Sequence, residues 1–240
     1  MLLRIENITK SFSNVEVLRN ITLMLQEHQT LSILGKSGCG KTTLLKIIAG
    51  LLGQDNGDIF LNDSIINMLP SAKRNIVYLS QEPLLFPHLT VQQNIAFGLH
   101  IRKLPETTIR AKTHALIEQL GLEAHHNHLP HTLSGGQKQR VNFGRALIIN
   151  PPVLLLDEPF SNLDAQTRFE MQLLFKDIAA SYGMASIFVS HDLKETLLMG
   201  DTIGLMQEGC LQTFTDKNSF ITDSRTGVQR ELAFWKSLPS

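Results

Sequence analysis

The chain has 240 residues, 42% of them hydrophobic and 18% charged, which is enough to bury a large apolar core with an inserted lobe. Its 22 Lys and Arg balance 22 Asp and Glu, so no net field holds a polyanion against salt, and nucleic acid is not an expected partner. Two cysteines, Cys39 and Cys210, are too few for a disulfide framework, and with no signal-peptide pattern and no run approaching the roughly 20 apolar residues that cross a bilayer, the expectation is a cytoplasmic chain.

Strands are predicted over 2–8 and 15–25, where apolar positions alternate, and over the short run Leu31-Ser32-Ile33-Leu34. That run meets the glycines between 35 and 40, after which 41–49 has helical length and an apolar face, ended by Gly50. A hairpin is predicted over 57–66 about Asn62-Asp63, and a further strand over 76–79. From Thr90 to about Leu122 the period is helical with a break near Pro105, which implies a helical lobe inserted into an α/β core. A polar connector at 125–130 leads to a helix at 137–149, a strand at 153–156, a helix at 166–180, a strand at 185–189 and a hairpin near 204–211. Strands alternating with helices imply a mostly parallel sheet with helices on its faces.

The chemistry begins at Gly35-Lys36-Ser37-Gly38-Cys39-Gly40-Lys41-Thr42. This matches the phosphate-binding loop pattern, placed between a predicted strand and a predicted helix as the motif requires. Its glycines let several backbone N–H groups face one point. The helix N-terminus adds a positive end, and Lys41 supplies a point charge for the β- and γ-phosphates. Thr42 is a candidate Mg²⁺ ligand, and Thr43 joins the phosphate-binding set.

The apolar run Val153-Leu154-Leu155-Leu156 ends in Asp157-Glu158. A buried strand avoids carboxylates at its tip unless a cation or a reacting water waits there. Asp157 suits Mg²⁺, and Glu158 suits orienting or deprotonating an attacking water. Leu133-Ser134-Gly135-Gly136-Gln137 is a second glycine turn at a helix start with a good N-cap, hence a second anion site in one chain.

Followed by Lys138-Gln139-Arg140, this last motif resembles the signature of the ATP-binding-cassette ATPases. The resemblance covers residues 3 to about 211. It implies an α/β fold: a P-loop NTPase core with a mostly parallel sheet, an N-terminal antiparallel β subdomain and an inserted α-helical subdomain. The implied division is one domain over 1–240, with core and β subdomain at about 1–83 and 131–215, helical subdomain at about 84–150 and a tail at about 212–240. It implies ATP and Mg²⁺ as cofactors. It also implies a head-to-tail homodimer, or an equivalent pair, in which each nucleotide lies between the phosphate loop of one copy and Ser134, Gly135, Gly136 and Gln137 of the other. Gln81 resembles the family's glutamine that senses Mg²⁺ and the γ-phosphate. Ser161-Asn162-Leu163-Asp164 resembles the loop that crosses the dimer interface, and His191 the histidine that holds the γ-phosphate and the catalytic water. Phe12 stands where an aromatic stacks on adenine, with Val17 against the same base. Asn142 and Gly144 replace more favourable helix formers and are expected to loosen their helix slightly.

Within the family, Pro83 to Val91 places apolar residues between two prolines in what should be an exposed region, and such a patch needs a partner. The importer branch uses this segment and Gln92 to Leu99 to receive a helix of the membrane permease. The wording is similar to importers of ferric iron, polyamines, molybdate or thiamine. The expectation is therefore an ATPase subunit on the cytoplasmic face of the membrane, with integral permease subunits and a solute-binding protein in the full system. An exporter ATPase and a soluble non-transport cassette protein are the alternatives, the latter expected to show tandem cassettes, a coiled-coil insertion or a basic face. About thirty residues follow Leu211, too few for the extra regulatory β-domain of larger importer ATPases.

Overall fold

Alternation in the first 25 residues buries Leu3, Ile5 and Ile8 and then Ile21, Leu23 and Leu25, and builds two long antiparallel strands, β1 (Leu3–Phe12) and β2 (Val15–Leu25). The computed structural model describes residues 1–237, which divide into two compact units, Met1–Arg74 with the residues from Ala185 onward, and Asn75–Met184.

In the first unit, β4 (Asn56–Leu61) lies antiparallel on the other edge of β1 and continues into β5 (Ser64–Ile65), giving the order β2-β1-β4-β5. The β4–β5 turn is the predicted Asn62-Asp63, with φ of 48° and 60°, the paired left-handed conformation of a tight hairpin. A second set of strands belongs to the same unit. The strand β3 (Thr30–Leu34) is buried along its whole length and lies between β8 (Ala185–Ser190) and β9 (Thr202–Gln207), parallel to both. Burial on both faces explains why it reads as a continuous apolar run rather than an alternation. β10 (Cys210–Phe214) returns antiparallel to β9, and Leu205, Phe214, Phe220 and Val228 form a small apolar cluster that anchors α7 (Lys217–Thr222) and α8 (Val228–Ser237).

The second unit holds β6 (Ile76–Leu79) parallel to β7 (Val153–Asp157), with Ile76 opposite Val153 and Leu79 opposite Leu156. Its helices are α2 (Val91–Ile101), α3 (Glu106–Gln119), α4 (Gly135–Leu147) and α5 (Ala165–Tyr182). The predicted break near Pro105 falls between α2 and α3. Gly144 has a packing reason that helix propensity alone does not show: a Cβ there would lie 2.9 Å from side-chain carbons of Ile95 and Leu120, so α4 approaches α2 and the end of α3 closely only with glycine at this point. Asn94, fully buried in α2, accepts from Phe86 N–H at 2.9 Å and donates to the carbonyls of Phe86, Leu89 and Thr90. One side chain thereby holds the proline-bounded segment before α2 in shape.

Candidate functional site

The glycine loop leaves the end of β3, where Gly35 N–H donates to the carbonyl of Ser190 at the end of β8, and runs into α1 (Lys41–Ile48). Two of its glycines are required by conformation. Gly38 and Gly40 have φ of 83° and 108°, a region that side chains other than glycine's rarely adopt. At Gly40 a Cβ would also meet Leu18 Cδ2 at 2.8 Å and the carbonyl of Val17 at 2.9 Å. The Val17 backbone therefore packs directly against the loop at Gly40. Lys41 is 5% exposed. Its ammonium donates to the carbonyl oxygens of Gly35 at 2.7 Å and Lys36 at 3.1 Å, which turns the charge into the concavity. Thr42 is exposed, Thr43 half-buried and Cys39 half-buried. A cavity of about 790 Å³ opens beside Lys36, Ser37, Gly38 and Cys39 and carries Arg19, Arg225 and Glu208 in its lining.

His191 lies just past β8, exposed, on a turn pinned from beneath. The Ser190 hydroxyl donates to Glu195 Oε2 at 2.6 Å and accepts from Asp192 N–H at 3.0 Å, while Asp192 caps α6 (Leu193–Met199) by accepting from Glu195 N–H. Phe12, at the end of β1, is 45% exposed with the Lys10 ammonium 5.5 Å from its ring. Asp55 holds that lysine and the Ser11 N–H.

In the second unit, Asp157 is 5% exposed at the tip of β7 and accepts a hydrogen bond from the Tyr78 hydroxyl at 2.8 Å. Tyr78 was not among the residues singled out from sequence. A hydroxyl inside an otherwise aliphatic strand was the available signal. Glu158, the next residue, is half-buried with φ of 47°. Gln81 joins it indirectly: the amide Nε2 donates to Ser161 Oγ at 3.0 Å, and that hydroxyl donates to the carbonyl of Glu158 at 3.0 Å. Gln81, Ser161 and Glu158 are thus one connected group.

The second glycine turn starts α4 at Gly135, two residues earlier than the periodicity predicted, because Ser134 closes a capping box. Gln137 N–H donates to Ser134 Oγ at 3.3 Å and Ser134 N–H donates to Gln137 Oε1 at 2.9 Å. A Cβ on Gly136 would meet Thr167 Cγ2 at 2.7 Å, so α4 begins hard against the first turn of α5. Asp164 caps α5, accepting from Thr167 N–H at 3.0 Å. Hydrogen bonds from the Thr167 side chain and backbone lower the Asp164 pKa below its usual value.

Thr42 in the first unit, and Gln81 and Asp157 in the second, each carry an oxygen donor, the hard type of ligand that Mg²⁺ takes. Among the described residues no group of three or more His, Cys, Asp and Glu side chains converges as a metal site, and no helix is long and apolar enough to cross a membrane.

The family model for the ABC transporter matches residues 18–161, spanning the glycine loop, the second glycine turn and the acidic strand tip. The chain belongs to the ABC transporter family. Its relatives include the Fe(3+) ions import ATP-binding protein FbpC of Fusobacterium nucleatum, 40% identical over 88% of this chain and 57% of the relative. The spermidine/putrescine import ATP-binding protein PotA of Thermotoga maritima is 44% identical over 85% of this chain and 56% of the relative. The molybdate/tungstate import ATP-binding protein WtpC of Pyrococcus abyssi is 42% identical over 97% of this chain and 68% of the relative. This ABC chain spans between about half and two thirds of the length of these relatives. Among solved structures it is similar to a dimeric post-hydrolysis state of the ATP-binding cassette MJ0796 bound to ADP and Pi, with a TM-score of 0.78 and 29% identity over 88% of this chain and 98% of that one. The α/β fold expected from sequence, with an antiparallel N-terminal sheet and parallel strands around β3, is the fold observed.

Proposed function

We propose that this chain is an ATP-hydrolysing subunit that energises a multi-subunit membrane importer from the cytoplasmic face. The observation that carries the reading is the glycine loop with the Lys41 ammonium turned inward onto the Gly35 and Lys36 carbonyls. When phosphate oxygens arrive, Lys41 exchanges those two carbonyls for anionic acceptors, and charge-assisted bonds are the stronger ones. The N–H groups of the loop and the N-terminus of α1 receive the remaining phosphate charge.

The other roles follow from chemistry and from the family likeness. Phe12 offers its exposed ring to adenine, with Val17 beside the loop. Thr42, Gln81 and Asp157 would hold Mg²⁺, which neutralises charge on the transferring phosphoryl group. Glu158 accepts the proton of the attacking water, and His191 holds that water and the γ-phosphate oxygen. Its turn, braced by Ser190 and Glu195, limits the ring's wander. Because Gln81 reaches Glu158 through Ser161, loss of the γ-phosphate is felt at the segment that follows Gln81. Ser134, Gly135, Gly136, Gln137 and Asp164 act on the nucleotide of a second copy, closing a head-to-tail pair. A dimeric cassette with ADP and Pi among its structural likenesses supports that assembly.

Import, rather than another use of a cassette, is supported by relatives named for import of iron, polyamines and molybdate or tungstate. It is also supported by exposed apolar side chains around the segment held by Asn94: Leu84 is 70% exposed, Ile101 67% and Phe97 36%. Phe97 packs on Phe86 with ring centroids 4.4 Å apart, and Arg145 lies over Phe86. This face suits a short helix of a permease, with a solute-binding protein completing the system outside.

The test is Glu158→Gln. The variant is expected to bind ATP as the parent does, to hydrolyse it at least about 100-fold more slowly, and to elute as a dimer in MgATP. Rapid turnover, or a monomer at saturating MgATP, would overturn the reading. Co-purification with a multi-spanning subunit, lost on Leu84→Asp, tests the transport half.

A further inference from the structure

The polar connector before α4 takes no part in the phosphate chemistry, yet it touches the second glycine turn. His125 Nε2 lies 2.9 Å from Gln137 Nε2, and His125 Nδ1 lies 3.4 Å from His128 Nδ1, with ring centroids 5.0 Å apart. The capping box settles the protons. Ser134 N–H donates to Gln137 Oε1, so the group that Gln137 turns to His125 is its NH₂, a donor only. His125 Nε2 must accept. The neutral ring therefore carries its proton on Nδ1 and offers it to His128 Nδ1. One directed chain runs from Ser134 N–H through Gln137 and His125 to His128.

The last link is long for a hydrogen bond between nitrogens but matches another geometry. Imidazole nitrogens bind zinc-like ions at about 2.0–2.1 Å, so two of them at a tetrahedral angle stand roughly 3.3–3.4 Å apart. The two Nδ1 atoms already have that separation. His128 is exposed and His125 half-buried, leaving an approach from solvent. Imidazole donors favour Zn²⁺, Ni²⁺ and Cu²⁺ over the hard cations.

We propose that His125 and His128 form a binding site for a divalent transition-metal ion, completed by water and coupled to the cap of α4. With metal on both Nδ1 atoms, the His125 proton moves through solvent to Nε2, and none is lost from the neutral pair. That proton then faces the Gln137 NH₂, donor against donor, across 2.9 Å. The contact opens, and a Gln137 amide that turns to accept removes the acceptor of Ser134 N–H. Metal occupation and the closed capping box therefore oppose each other, and the coupling is reciprocal. The site stands independently of the transport reading, because it is read by metal binding alone.

The experiment titrates Ni²⁺ into the untagged, nucleotide-free full chain by calorimetry. One ion per chain is expected, with affinity falling about tenfold or more in His128→Ala and in His125→Ala, unchanged in His131→Ala, and rising about fivefold in Gln137→Ala, where the opposing donor is gone. His128 is exposed, so its variant tests the site even where His125→Ala folds poorly. No binding by the parent, or binding that survives both histidine substitutions, overturns the site. Unchanged affinity in Gln137→Ala overturns the coupling.

Discussion

Tyr78 and Asp157, 79 residues apart, meet at 2.8 Å across the parallel pair β6–β7, the phenol donating to a carboxylate that is 5% exposed. Burial first, and then the bond to Asp157 and its charge, push the Tyr78 phenol well above its usual 10.0. A raised pKa in the folded state contributes stability that is complete below the unfolded value and is lost as pH rises toward the folded one. Stability of the parent is therefore expected to fall from about pH 10 upward, more steeply than in Tyr78→Phe. At pH 7 the variant should be less stable by about 1–3 kcal/mol, because a buried carboxylate loses a donor. Urea denaturation of both proteins across pH 7–11 checks the two claims, and parallel alkaline slopes would count against the first.

Gly38 and Gly40 separate backbone strain from crowding. At Gly38 an added Cβ finds no atom within 4 Å, whereas at Gly40 it collides with Leu18 and Val17. Gly38→Ala should cost about 1–2 kcal/mol from the left-handed backbone alone, and Gly40→Ala more. Nucleotide affinity should fall further in Gly40→Ala, since Val17 backs the loop. Thermal melts with and without ATP measure both, and equal losses would refute the distinction.

Arg74 is 4% exposed and donates to the carbonyls of Ile47 and Ile48 at the end of α1, and to those of Asn67 and Leu69. A lysine has three donors on one atom and cannot span these acceptors. Arg74→Lys should lose about 2–4 kcal/mol, because the carbonyls of Ile48, Asn67 and Leu69 lose a donor, far more than an ordinary surface Arg→Lys exchange. Chemical denaturation gives the answer, and a loss below about 0.5 kcal/mol would show the network to be dispensable.

Asp164 caps α5 through Thr167. Asn keeps a cap acceptor and Ala does not, so Asp164→Ala should destabilise the fold clearly more than Asp164→Asn. Because the Asp164 pKa is lowered, its contribution is present above the unfolded value of 3.8 and fades as pH falls through the folded one. The gap between parent and Asp164→Ala should therefore narrow below pH 3.8. A gap that stays constant into acid would exclude a charge-dependent cap.

The elements most legible in the sequence were those whose causes lie within a few residues. The glycine loop was readable because left-handed backbone at Gly38 and Gly40 needs glycine at those positions, and the Asn62-Asp63 turn for the same kind of reason. Helix α4 was readable in place but started two residues early, since periodicity follows the apolar face while the cap follows Ser134 and Gln137. Sequence alone reads Gly144 as a weak helix former, and the structure adds its packing reason. Propensity describes an isolated helix, and the close approach of Ile95 and Leu120 is a property of packed ones.

By itself the sequence determined the two glycine turns at helix starts, the acidic strand tip and the α/β alternation, because glycine conformation, side-chain capping and strand burial act over spans of four or five residues. Tertiary structure alone decided that Tyr78 holds Asp157, that Arg74 closes the end of α1, and that His125 reads the cap of Gln137. Each of these depends on a donor and an acceptor from different elements brought within bonding distance and at least partly shielded from water, which happens only once the chain is folded.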